Sequence, residues 1–163
     1  MKRVLRKYKQ LANAIDKEIK VKKTSCEWYC LPVEKKIFIP QLASETSDIA
    51  FLKSIEKRLP INKKELLEEF PVWVWAFLHE IGHIQHKHTK QIVVGEIVAN
   101  FLGRLGYYKL ANLIYFNIKQ EKQATQWAVD YIIQNEDFVY NQAMEIYKAY
   151  KKYYKKLKIS IDN

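Results

Sequence analysis

The sequence predicts a helix-dominated α+β fold, and three observations predict it. Apolar residues recur at helical spacing over most of the 163 residues, a single stretch near residues 25–39 alternates like a hairpin, and one long apolar run sits mid-chain. No glycine-, proline- or serine-rich linker and no internal repeat interrupts the pattern, so residues 1–163 read as one domain.

The elements follow in order. Leu5, Tyr8, Leu11, Ala12, Ile15 and Ile19 form one stripe, which predicts an amphipathic helix over 2–21. Ser25 to Leu31 and Lys36 to Ile39 flank the turn-prone Pro32-Val33-Glu34 and predict an antiparallel hairpin. Ser44 or Ser47 can cap a helix running toward Leu59, and Pro60 ends it. Asn62 with Glu65 at the capping-box position starts a short helix through Phe70. Pro71 suits the first turn of a helix over 71–87 that is apolar almost all round and therefore buried. Gly103 and Gly106 divide the next apolar segment, residues 107–134 form one helix or two, and a last helix covers 138–157. Ile92 to Phe116 is interrupted by Glu96, Arg104 and Lys109, so it predicts buried helices and no membrane span.

The formal charge is +10, with lysines crowding both ends of the chain, and near the C-terminus they alternate with Tyr150, Tyr153 and Tyr154. Such a pattern can follow a phosphate backbone. Val139, Ala143, Ile146, Tyr147, Tyr150, Tyr154 and Leu157, however, recur at helical spacing. The tyrosines then belong to a packed stripe and the lysines to its wet face, and nucleic-acid binding is the less favoured reading. No uninterrupted apolar segment follows the basic N-terminus, which argues against a secretory signal and for a cytoplasmic protein. Cys26 and Cys30 are then read as two reduced thiols with no assigned chemistry.

Within the buried helix His79-Glu80-Ile81-Gly82-His83 spells H-E-x-x-H. Two imidazoles four residues apart on a helix lie on one face, one turn apart, and can share a tetrahedral Zn²⁺, while Glu80 between them can reach an attacking water. Such groups are costly to desolvate unless paired or bound to metal. The remaining histidines, His86 and His88, fall at the expected solvated helix end, with His86 on the rim. Glu96 and Glu121 compete as the third ligand. Glu96 follows His83 by only thirteen positions, leaving little chain for a return. Glu121 heads a face with Ala124, Thr125, Ala128 and Ile132, whose small residues allow close approach to the H-E-x-x-H helix, and it is preferred. Gly82 permits the same from the other side.

Phe77-Leu78-His79-Glu80-Ile81-Gly82-His83, followed by Glu121-x-x-Ala124-x-x-Trp127-Ala128-x-x-Tyr131-Ile132-Ile133, resembles the ImmA/IrrE family of zinc metallo-endopeptidases over residues 70–134. The resemblance implies a compact zincin-like domain in which a small antiparallel sheet lies against the H-E-x-x-H helix. It implies His79, His83 and Glu121 as metal ligands and Glu80 as general base. Family members commonly carry Asn or Asp where this chain has Thr125. The implied substrate is a protein cut at a specific site, such as a helix-turn-helix repressor or regulator of a mobile element or stress response. The strand with Ile37-Phe38-Ile39 is the candidate edge to pair with that substrate. The alternative is a non-catalytic metal-containing regulator that grips a protein or nucleic acid through its basic surface, and a fourth protein ligand would favour it.

Overall fold

A computed structural model describes residues 1–25, 28–41, 48–88 and 94–157. It is a helix-dominated α+β fold in the order α1 (Lys2–Ile15), β1 (Lys20–Thr24), β2 (Tyr29–Leu31), β3 (Lys36–Pro40), α2 (Asp48–Glu56), a 3-10 turn (Ile61–Lys63), α3 (Leu66–Glu69), α4 (Val72–Gln85), α5 (Val94–Arg104), α6 (Tyr108–Tyr115), α7 (Lys119–Gln134) and α8 (Glu136–Leu157). Among the described residues no helix is long and apolar enough to cross a membrane. The expected capping serines, Ser44 and Ser47, lie outside the described residues, as does Cys26.

The expected hairpin is present: β2 pairs antiparallel with β3, Tyr29 opposite Phe38, and their rings stack at 4.4 Å. The sheet is mixed, because β1 adds to the far side of β3 in parallel, giving the order β1-β3-β2. Two expectations change with it. The first helix stops at Ile15 instead of running to residue 21, and Ile19, just before β1, and Val21, within it, are buried. Asp16 adopts an extended backbone and its carboxylate accepts from the Glu18 N–H at 2.9 Å, a local turn that competes with helix. The strand of Ile37, Phe38 and Ile39 is the central strand, so among the described residues the free edges belong to β1 and β2.

Two further differences are local. Asn62 lies inside the 3-10 turn, and α3 starts at Leu66 with no side-chain cap, so the expected capping box does not form. Residues 107–134 form two helices that meet at Ile118. Helices α5 and α6 were expected to be buried and are not. They pack on each other through the small residues Ala99 and Ala111, while Ile97, Phe101, Tyr108 and Leu113 are exposed.

The core lies between the sheet and the helices. Ile37 and Ile39 of β3, Val21 of β1, and Val74, Phe77, Leu78 and Ile81 of α4 are buried together. Tyr8 of α1 packs its ring on Phe77 at 4.7 Å and against Tyr150 of α8, which ties the terminal helices to α4. On α8, Val139, Ala143, Ile146 and Tyr150 are buried, as the packed stripe required, whereas Leu157 at its far end is exposed where α8 runs past the core.

Helix α7 lies along α4, and Gly82 sets their separation. A Cβ at residue 82 would stand 2.6 Å from the Ala124 carbonyl oxygen and 2.8 Å from its Cα. Those atoms are backbone, so only a shift of one helix could relieve the contact. Helix propensity alone would make Gly82→Ala stabilising by about 1 kcal/mol. The contact reverses the sign: we expect Gly82→Ala to destabilise by roughly 1–3 kcal/mol in urea unfolding.

Candidate metal centre

Buried residues of α4 and α7 bring three ligand-type side chains to one point. His79 and Glu121 are buried and His83 nearly so. His79 Nε2 lies 3.1 Å from Glu121 Oε2, His83 Nε2 lies 3.4 Å from Glu121 Oε1, and the two Nε2 atoms are 3.1 Å apart. The cluster could hold a metal ion, and no fourth His, Cys, Asp or Glu among the described residues joins it. Of the competing glutamates, Glu121 reaches the site and Glu96 does not.

The other nitrogen of each imidazole is engaged by protein. Thr125 Oγ1 donates to the Glu121 carbonyl at 2.7 Å, so at 3.1 Å it accepts from His79 Nδ1–H, which leaves the His79 Nε2 lone pair facing the cluster. On the other side, His83 Nδ1 meets His88 Nδ1 at 2.8 Å, and His88 Nε2 meets Gln123 Oε1 at 3.2 Å. Gln123 Oε1 accepts only, so His88 carries its proton on Nε2, and His83 Nδ1–H donates to His88. The His83 Nε2 lone pair is thereby also available. Partners of this kind fix ring orientation and raise ligand basicity.

His88 departs from the expected solvated end: it is buried, whereas His86 is exposed as expected. The cause is a turn after α4. Lys87 takes a left-handed backbone, φ 52, while its N–H bonds to the Ile84 carbonyl and the His88 N–H to the His83 carbonyl, both at 3.0 Å. This is the Schellman pattern that glycine usually completes, and it folds His88 back onto His83. A helical wheel carries no sign of it.

Two more groups face the cluster. Cys30, on β2, lies beside Glu80; burial, and then the Glu80 carboxylate, push its thiol well up, so it stays protonated. The Tyr115 hydroxyl, from α6, lies against Glu121 although the residue is partly exposed; burial, then the charges of Glu121 and Glu80, push the phenol up and keep it a proton donor. Among the eleven tyrosines in the sequence nothing distinguishes this one.

Electrostatics ties the cluster together. Burial pushes the Glu121 carboxyl up, but the imidazoles of His79 and His83 set against its two oxygens outweigh it and hold the group well below the usual carboxylate range. Burial likewise lowers His83, yet its bond to Glu121 and that carboxylate's charge win, raising it above its ordinary 6.5. His88 is lowered, by burial and then by His83. A proton and a bound cation would thus compete for His83 Nε2.

The signs give a test on chelated protein. His83, with a raised folded value, contributes stability that is present below 6.5 and lost as pH rises through that higher value. His88, with a lowered folded value, contributes stability present above 6.5 and lost as pH falls through the lower value. Their joint contribution therefore peaks near 6.5, the ordinary value of both, which Tm measured across pH checks. Metal affinity, by contrast, should rise monotonically with pH across this range as protons leave His83. Removing the outer partner by His88→Ala should weaken metal binding about 10–100-fold in a competitive chelator titration. Lys87→Gly, which relieves the left-handed backbone, should raise stability by roughly 0.5–1 kcal/mol. Compared with known proteins, the chain matches no family profile, no curated protein and no solved structure.

Proposed function

We propose that this protein is a zinc-dependent endopeptidase acting on a specific protein substrate. The observation that carries the reading is the cluster itself: two imidazole nitrogens and one carboxylate on a single point, with the outer nitrogens tied down and no fourth protein ligand among the described residues. Structural zinc sites are closed by four protein ligands, whereas catalytic ones keep three and leave a position for water or substrate. A set of two nitrogens and one oxygen suits Zn²⁺ better than Ca²⁺ or Mg²⁺, which take mostly oxygen ligands. The resemblance of the paired sequence blocks to the ImmA/IrrE family points the same way and supplies the substrate class, a repressor or regulator.

The cation's role when bound is to polarise the scissile carbonyl and acidify the attacking water. The chain's own residues supply the rest. Glu80 stands on α4 between the two histidines and next to the protonated Cys30, placed to take a proton from water and return it to the leaving amine. The Tyr115 hydroxyl is the donor best placed for the oxygen on which negative charge develops. An extended substrate would add to the sheet at the free edge of β2, the strand that brings Cys30 to Glu80 and packs against α4. That edge replaces the β3 strand of the sequence reading, since β3 is paired on both sides.

Glu80→Gln tests the mechanism. It removes the base and leaves all three ligands, so metal content by mass spectrometry should be unchanged while cleavage of a helix-turn-helix repressor substrate falls by about 10²–10⁴-fold. Full cleavage by the variant would overturn the reading.

A further inference from the structure

Beyond the metal cluster, α2 and α6 enclose an open cavity of about 670 Å³, within the size range of small-molecule sites. Its apolar lining comes from Ile49, Leu113 and Phe116, and its charged lining is entirely cationic: Lys53, Lys57, Arg58 and Lys109. No carboxylate among the described residues lines it, and none of the four cations makes an ion pair among those residues. Like charges gathered without a counter-ion repel, and the chain's general basicity does not remove that cost.

Arg58 sharpens the point. Its guanidinium is half-buried and held in place by the Ser54 hydroxyl at 2.9 Å and the Ser54 carbonyl. Burial lowers its pKa and no acidic neighbour offsets the loss of solvent. A fixed, partly desolvated guanidinium beside an apolar wall is a ready hydrogen-bond donor to a carboxylate or phosphate. The asparagine amide of Asn112 adds a neutral polar group to the same wall. Phe116 packs on Phe51, whose ring meets the edge of His79 at 5.3 Å, so the cavity sits behind the metal cluster with Phe51 between.

We propose that this cavity binds a small amphipathic anion, its apolar body on Ile49, Leu113 and Phe116 and its phosphate or carboxylate held by Arg58 with the three lysines. Two sources share that chemistry, a nucleoside phosphate with an aromatic body and a fatty acid with an acyl one.

Calorimetric titration of the full chain with AMP, dodecanoate and inorganic phosphate separates them. One of the two amphipathic probes should bind at least about tenfold tighter than phosphate, and the winner identifies the source. Lys53→Glu/Lys109→Glu, which alters exposed side chains, and Leu113→Asn, at a half-exposed position, should each weaken that binding about tenfold while Tm stays near wild type. The proposal is overturned if phosphate binds as tightly as both organic probes, if no probe binds below millimolar concentration, or if Leu113→Asn has no effect, which would leave a bare surface charge. Heat of binding involves no peptide hydrolysis, so failure here leaves the peptidase reading untouched.

Discussion

The backbone contact between Gly82 and Ala124 is the constraint on which the site depends. Two helices bearing ordinary side chains pack with axes about 8–10 Å apart, and this crossing is closer at one point because neither residue holds a bulky group there. At that separation one face of α7 meets one face of α4 in register. Glu121 reaches both imidazoles, Thr125 one turn later meets the outer nitrogen of His79, and Gln123 holds His88. A single helix supplies the ligand and the supports for the other two ligands. A small outward displacement of α7 would loosen all of them together.

A buried carboxylate and two buried imidazoles are a large electrostatic burden for a domain of this size. The outer nitrogens of the imidazoles are hydrogen-bonded, and the two nearby acids that could add negative charge, Cys30 and Tyr115, stay protonated, but the two Nε2 lone pairs and the Glu121 oxygens converge as acceptors alone. The surrounding apolar core strengthens those interactions by excluding water. Gathering so many polar groups where Phe51, Phe77 and Ile81 would otherwise pack without them stabilises the fold less than an apolar core would. That imbalance is what makes a bound cation the natural completion of the arrangement.

Much of this was readable in the residues, for definable reasons. The H-E-x-x-H spacing places His79 and His83 on one face whatever the tertiary structure, and the small-residue face below Glu121 signalled a close helix partner. Periodicity also distinguished the packed tyrosines of α8 from its lysines. It failed where two periods coincide: Ile15 and Ile19 fit a helical stripe, and only the turn at Asp16 takes the chain out of the helix and into β1, where Val21 is buried. His88 was unreadable because its position depends on a left-handed lysine, a conformation that lysine does not advertise. The central place of β3 was unreadable because strand order is a property of long-range pairing. Helices α5 and α6 look like core by composition, and only their packing on each other leaves their larger side chains outside.

That last feature bears on motion. Helices α5 and α6 bury mainly alanine against each other and meet the remainder of the fold chiefly through α2, so little apolar area holds the pair in place. Units of that kind detach at lower free energy than the elements around a core. Helix α6 nonetheless carries Tyr115 to the carboxylates and forms one wall of the cationic cavity. Sub-global opening of this helical hairpin would therefore withdraw a hydroxyl and a cavity wall at once while the α4–α7 crossing stayed closed, separating the timescale on which the site is assembled from that on which it is uncovered.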